Sequence, residues 1–423
     1  MKKLLQINVC SNLSTGRIAE DIASVAKQDG WDCYLAYGRG TEPKENKGVR
    51  IGSPFDLYEH VLESRLLDWH GRGSRRATKA FLKQVEQLQP DVIHLHNIDG
   101  YYLNLQQLFD FLGRKHIPVV WTVHSCWPFT GHCAHFAPAH CEKWKTQCHD
   151  CPLLQTYPKS WWADRSRKNY AEKKRLFNQP AQMLLTPVSK WLCGLLKESF
   201  LQKYPTEVIY NGVDLNTFSP KPQSETAALR QRYSLQDQFV LLGVASTWTE
   251  QKGLKHYVEL SKRLPAGMRM VLIGLNDKQI EAMPANVLGL RRTSSIDELV
   301  AFYSAADVVL NLSEAETFGL TTAEGMACGT PSVVFNTTAS PELITPATGA
   351  VAPMGDLAAV MQAVEQIRAN GKAAYSTACR QRAVEHFDKT KNFQRYVEIY
   401  NELRTPLPSA DKNTTPTANG QGN

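Results

Sequence analysis

Short β-rich runs alternate with longer amphipathic stretches through most of the chain, and this alternation constrains the fold more than any other feature. The first series opens with "KLLQINV", continues with a helical pattern from Gly16 to about Lys27, and returns to "DCYLAYG". "DVIHLH" (Asp91–His96), the helical "LNLQQLFDFLGRK" and "IPVVWTVH" (Ile117–His124) repeat the pattern. "AQMLLTPVS", "KWLCGLLKESF" and "TEVIYNGVD" repeat it again. Strand–helix–strand alternation at this spacing argues for a parallel sheet covered by helices on both faces.

A second series begins near Asn216. "DQFVLLGVAS" reads as a strand, "KGLKHYVELSKRL" as a helix and "GMRMVLIG" as a strand. "SSIDELVAFYSAA" is a helix opened by Ser and Asp, residue types that cap free N–H groups. "DVVLNLS", "TFGLTTAEGMACG" and "PSVVF" complete a further unit. "NGVDLNTFSPKPQSE" gathers Gly, Pro and Ser between the two series and reads as the linker. At 423 residues the chain is too long for one compact core. The expected fold class is α/β: two doubly wound, Rossmann-like domains facing each other across a cleft. The expected segments are an N-terminal domain over 1–215 with an insertion at about 126–152, and a C-terminal domain over 216–387. A helix over 388–405 is expected to pack back on the N-terminal domain, followed by a disordered polar tail over 406–423.

Hydrophobic content of 43% and charged content of 21% are those of a soluble globular chain. In the opening "MKKLLQINVCSN", Gln6, Asn8, Ser11 and Asn12 interrupt the apolar residues. The segment reads as a strand and not as a secretory signal, so a cytoplasmic location is expected. Thiols stay reduced there, and clustered cysteines suggest metal before disulfides. A net charge of +7 fits anionic partners such as nucleotides, lipid phosphates or nucleic acid without choosing among them.

"SEAETFGLTTAEGMACGTPSVVF" (Ser313–Phe335) places Glu316 in a loop after a strand, Thr317, Phe318 and Gly319 at a helix entrance, and Glu324 on that helix. In parallel α/β sheets ligands bind beyond the carboxyl ends of strands, where helix N-termini offer free N–H groups to anions. Two carboxylates facing such a pocket suit a polyhydroxylated, phosphorylated ligand. The Glu316-x7-Glu324 spacing followed by "GMACGTPSVV" resembles the signature of the retaining nucleotide-sugar glycosyltransferases of family 4, which have the two-domain GT-B fold. "VIYNGVDLNTFSP" looks like that family's interdomain segment and "TPVSKWL" like the one before it, so the resemblance covers most of the chain.

The resemblance implies roles. Glu324 would hydrogen-bond ribose hydroxyls, and Glu316 would lie against the donor sugar, with N–H groups around Phe318, Gly319 and Leu320 holding sugar and diphosphate. Lys252 in "STWTEQKGL" matches the lysine that neutralises the departing diphosphate. The arginine that usually precedes it is missing, since the stretch offers Ser246, Thr247 and Trp248. Gly16 in "SNLSTGRIAEDIA" resembles the first loop, where backbone approaches donor phosphates or acceptor. His124 matches a histidine that contacts the donor sugar, although Ser125 stands where aspartate is frequent. The implied catalytic set is His124, Lys252 and Glu316. The implied chemistry is transfer from a UDP- or GDP-linked sugar to a saccharide acceptor with no cofactor required. Exopolysaccharide or O-antigen assembly on a lipid carrier at the bacterial inner membrane is the setting that fits.

Cys133, Cys141, Cys148 and Cys151, the last two as C-x-x-C, suit a closed tetrahedral zinc site that would staple the insertion; His132, His135, His140 and His149 are alternative ligands. The alternative is a set of reduced cysteines packing around Trp144. "YPKSWWADRSRKNYAEKKRLF", with Trp161 and Trp162 ahead of a basic helix, and "HGRGSRRATKAF", with Arg72, Arg75, Arg76 and Lys79, fit an anionic membrane surface. After the strand ending at His96, "HLHNIDGYYLN" offers His96, Asn97, Tyr101 and Tyr102 to a sugar acceptor, whereas His94 points inward. Two rival readings are a nucleotide-sugar epimerase on the same fold and a zinc-dependent nucleic-acid-binding protein. The second leaves the Glu316/Glu324 segment unexplained, so no nucleic-acid partner is expected.

Overall fold

The computed structural model describes residues 1–404, and the tail expected over 406–423 lies outside them. Strands β1 (Lys2–Cys10), β2 (Trp31–Arg39), β3 (Lys47–Arg50), β4 (Val92–Leu95), β5 (Val119–Val123) and β6 (Met183–Pro187) form one sheet in the order β3-β2-β1-β4-β5-β6. Strands β7 (Phe239–Val244), β8 (Met268–Ile273), β9 (Val287–Leu290), β10 (Val308–Asn311), β11 (Ser332–Phe335) and β12 (Gly349–Ala352) form a second, ordered β12-β11-β10-β7-β8-β9. All of these pairings are parallel. The two sheets therefore share one topology, with the order reversing between β1 and β4 in the first and between β7 and β10 in the second.

Burial on both faces explains the composition of the strands. Leu4, Leu5 and Ile7 of β1 are sealed from solvent, and so are its polar Gln6 and Asn8, whose side chains are hydrogen-bonded inside. Helix α1 (Ser14–Gln28) lays Ala19, Ile22, Ala23 and Ala26 on the first sheet. The C-terminal helix Lys389–Arg404 leaves the second sheet and crosses to the first. There Phe393, Tyr396, Val397 and Tyr400 join Leu4, Ile22, Trp31 and Val92 in one core cluster. The crossing is fastened where Val213 N–H donates to Phe387 O (2.7 Å) and Lys389 N–H to Val213 O (3.0 Å). Lys389 also pairs with Asp21 and Asp214 at 3.2 Å.

Helix α2 (Pro54–Leu67) is built inside out. It opens with a capping box between Ser53 and Asp56, then buries His60 and Ser64 while Phe55, Tyr58 and Leu62 face outward. Helix α3 (Arg75–Leu88) follows it, burying Thr78, Phe81 and Val85. Among the described residues no helix is long and apolar enough to cross a membrane.

Candidate active site

The strand order puts the chemistry in one place. Gly16 follows β1, His96 and Asn97 follow β4, His124 follows β5, Lys252 follows β7, and Glu316 to Gly319 follow β10. These are carboxyl ends at or beside the two order reversals, where the diverging loops of a doubly wound sheet leave a crevice.

Lys252 Nζ lies 2.6 Å from Glu316 Oε1, and the Glu316 side chain is only 12% exposed. Neighbouring loops set this pair. Gln251 Nε2 donates to Ala315 O (2.9 Å), and Glu314 N–H donates to Gln251 O (2.8 Å), which binds the loop after β7 to the loop after β10. Glu316 N–H donates to Thr338 Oγ1 at 2.8 Å, fixing the carboxylate from behind. Gly319 at φ +100° turns the chain into the helix Leu320–Ala327 through a conformation that L side chains avoid. No side chain caps that helix, so its first N–H groups stay available to an anion. Phe318 is buried against Tyr210 and Phe387, Leu320 is exposed, and Thr317 is half-buried beside Glu316; for Phe318 the part left to a ligand is backbone.

Glu324 accepts a 2.7 Å hydrogen bond from Tyr303, a partner that the sequence pattern did not disclose. Burial raises its carboxyl to about 7, against the opposing pull of the Tyr303 hydroxyl and of Arg17. Arg17, on the first turn of α1, belongs to the opposite sheet, so its electrostatic reach to Glu324 spans the cleft. It sits one residue after Gly16 and was missed because nothing in "STGR" marks an arginine that faces another domain. The stretch where the family's arginine is absent supplies no cation: Ser246 and Thr247 are exposed, and Trp248 is buried with its Nε1 donating to Ile273 O.

On the N-terminal side, a Cβ at position 16 would sit 2.5 Å from the Ser11 carbonyl carbon. Glycine is needed there by its own loop, before any ligand is considered. Asn8 ties that loop to β4, bonding Cys10 O and Thr15 Oγ1 and accepting from Asn97 N–H. His124 is half-buried, and its Nε2 lies 3.3 Å from His96 Nδ1. Burial holds the His124 imidazole neutral, down to about 3. Three of the four expected acceptor contacts need correction. His96, Tyr101 and Tyr102 are 1%, 7% and 3% exposed, with His96 hydrogen-bonded to Gln6 and the tyrosines packed into the domain. Only Asn97 of that group is left half-exposed.

The Cys/His-rich insertion is also corrected. Cys133, Cys141, Cys148 and Cys151 do line one small cavity with Phe136 and Trp144. Among the described residues, however, no three His, Cys, Asp or Glu converge as metal ligands. The side chains have other partners. Cys148 Sγ accepts from Gly131 N–H at 3.2 Å. His132 is sealed in a 2.7 Å pair with Asp68, and His149 pairs with Asp150 on the surface. Aromatics supply the insertion with a core of its own: Phe129, Phe136 and Trp144 pack with ring centroids 5.0 to 6.3 Å apart. Lys173 is the staple. Its buried ammonium donates to Trp127 O and Thr130 O and lies 3.5 Å from the Trp127 ring centroid. Held this way, the insertion carries His135 to within electrostatic reach of both Glu316 and Lys252. Burial keeps that imidazole neutral, down to about 4, with Glu316 pulling the other way.

Comparison with known proteins follows the same division of the chain. Residues 15–217 match the family described as Glycosyltransferase Family 4, and residues 238–370 match that described as Glycosyl transferases group 1. A relative in Escherichia coli K12, the glycosyl transferase WcaC assigned to colanic acid biosynthesis, is 27% identical over 230 residues, 51% of this chain and 55% of that protein. The chain thus spans about half the length of the curated relatives it matches. Sucrose-phosphate synthase from Thermosynechococcus elongatus superposes with TM-score 0.71 at 16% identity, covering 95% of this chain and 99% of that one. Anabaena Alr3699/HepE, solved with UDP-glucose, superposes with TM-score 0.66 at 16% identity, covering 95% and 100%. At such identity the two structures speak for the fold, which is GT-B. On the sequence matches and this architecture together, the chain belongs to the family 4 glycosyltransferases.

Proposed function

We propose that this protein is a retaining hexosyltransferase that moves a sugar from a UDP- or GDP-linked donor to a lipid-linked saccharide in bacterial surface polysaccharide biosynthesis. The observation that carries the reading is the Lys252–Glu316 pair at the end of β10, with Glu324 on the following helix and His124 after β5. In this reading the nucleotide ribose donates to Glu324. The uncapped helix at Gly319 and the Lys252 ammonium take the diphosphate, and the sugar lies between Glu316 and His124. Negative charge grows on the leaving diphosphate as the glycosidic bond breaks, so a cation fixed there lowers the barrier. The acceptor hydroxyl attacks from the face the diphosphate leaves, and a departing phosphate oxygen takes its proton. No divalent metal is required by this route.

The lipid-linked acceptor is supported by the surface around α2. Phe55, Tyr58 and Leu62 are 75%, 72% and 51% exposed, and Trp161 N–H donates to Arg65 O, which sets Trp161 and Trp162 beside the C-terminal end of that helix. Arg75, Arg76, Lys79, Arg167 and Lys168 are exposed in the neighbouring α3 and in the segment after the tryptophans. An apolar face ringed by cations suits the cytoplasmic leaflet of an anionic membrane.

A thermal-shift screen against UDP, GDP and their sugars tests the donor. A ligand that binds only the folded protein raises the melting temperature, by about 2.7 kcal/mol of stabilisation at a hundred times its Kd. One nucleotide class should shift the transition and the Glu324→Gln variant should shift less at the same concentration; indifference of the wild type to every nucleotide would remove the donor assignment. Turnover of the donor to an epimer without acceptor would instead establish the epimerase.

A further inference from the structure

Gln6 on β1 has its carboxamide orientation decided by its neighbours. One end lies 2.7 Å from the Ala19 carbonyl oxygen and 3.2 Å from Asn46 Oδ1. A backbone carbonyl only accepts, so that end is the NH2 and the other is Oε1. Oε1 lies 3.0 Å from His96 Nε2, which therefore carries a hydrogen. Burial keeps His96 neutral, and a neutral imidazole has one N–H, so His96 Nδ1 is an acceptor. The atom facing it at 3.3 Å, His124 Nε2, has to donate. His124 is neutral too, so its own Nδ1 is left with a lone pair. No protein group among the described residues bonds that atom, and His124 stands half-buried at the end of β5, where the solvent it meets is the cleft.

We infer that Gln6 and His96 are positioning residues that fix His124 as the Nε2–H tautomer, making its Nδ1 a hydrogen-bond acceptor for a substrate hydroxyl. A lone pair repels phosphate oxygens, so this corner of the cleft takes the sugar and leaves the diphosphate to Lys252. That hydroxyl contact rests on the proposed sugar-transfer reading; the tautomer does not. The relay also places a constraint in the middle of β1, where the sequence shows only a polar residue interrupting a strand.

Nitrogen-15 NMR of the full-length protein, labelled at histidine and with His124 assigned by its loss in His124→Asn, reads the tautomer directly. The expected spectrum at neutral pH shows His124 with Nε2 protonated and Nδ1 bare. A proton on Nδ1, or an imidazolium, overturns the inference whatever the protein catalyses. Gln6→Leu removes the acceptor that starts the relay and should turn His124 into a mixture of tautomers. With a donor identified, it should lower kcat/KM for transfer about tenfold, the worth of one hydrogen bond, while nucleotide Kd stays unchanged. An unaltered His124 spectrum in a folded Gln6→Leu protein would deny Gln6 its role. The correct tautomer in a protein that transfers no sugar would refute the function and leave the relay standing.

Discussion

Glu324 is the residue whose environment makes the plainest demand. Its carboxyl is raised to about 7 by burial, so in the free protein it is largely protonated below neutral pH. The sign for stability follows. The neutral form is favoured by folding, so the contribution is whole below the unfolded carboxyl range and is lost as pH rises through about 7. In the proposed reading ribose hydroxyls donate to the ionised form, so donor binding should release a proton and tighten with pH. Calorimetry with a nucleotide sugar should find about tenfold stronger binding at pH ~8 than at pH ~6. Glu324→Gln should bind more weakly and without that slope; a flat wild-type profile would contradict the role given to Glu324. Lys252→Met should act on kcat, by about 10²- to 10³-fold, since the charge it meets grows only as the bond breaks. A change confined to KM would show that Lys252 merely holds the donor.

At the scale of elements, α2 and the insertion carry the clearest expectations. Replacing Phe55, Tyr58 and Leu62 together by Ser should leave thermal stability unchanged, since all three are exposed, while abolishing co-sedimentation with anionic vesicles. Vesicle binding that survives the triple change would dismiss α2 as the membrane face. Trp144 is 1% exposed and stacked on Phe136, so Trp144→Ala should cost about 3–5 kcal/mol in denaturant unfolding. Most of the alternation was legible in the sequence, because burial on both faces writes the central strands as apolar runs; "TEVIYNGVD" forms only isolated bridges at Thr206 and Val213 in place of the expected strand, and the short strands β3, β9 and β12 carry too little apolar sequence to stand out. A family pattern singled out Glu316, Glu324 and Lys252, and the structure brings Lys252 and Glu316 to 2.6 Å of each other. What the chain did not disclose depends on tertiary neighbours. The relay from Gln6 to His124 joins three strands, His135 meets Glu316 from an insertion far away in sequence, and Tyr101 and Tyr102 look like ligand residues until packing buries them. The cysteines were legible as a cluster and do line one cavity, but among the described residues they form no group of three metal ligands, a matter of side-chain direction that spacing does not carry.

For the whole molecule, the proposed reaction depends on how the two sheets meet. Glu342, from the second, accepts from Lys190 N–H (2.8 Å) and Trp191 N–H (2.5 Å), the first free donors of the helix Lys190–Glu198 on the first. A carboxylate at a helix N-terminus is favoured by the helix dipole, so this contact latches the halves together. Glu342→Ala should therefore change kcat and KM together, as interdomain mutations do when closure assembles the site. The central claim is retaining transfer at the Glu316–Lys252 pair, and the anomeric configuration of the product tests it most directly. With an α-linked nucleotide sugar and a lipid-linked saccharide, NMR of the product should show an α-glycoside that Glu316→Ala fails to form. A β-linked product, or undiminished transfer by Glu316→Ala, would contradict the account.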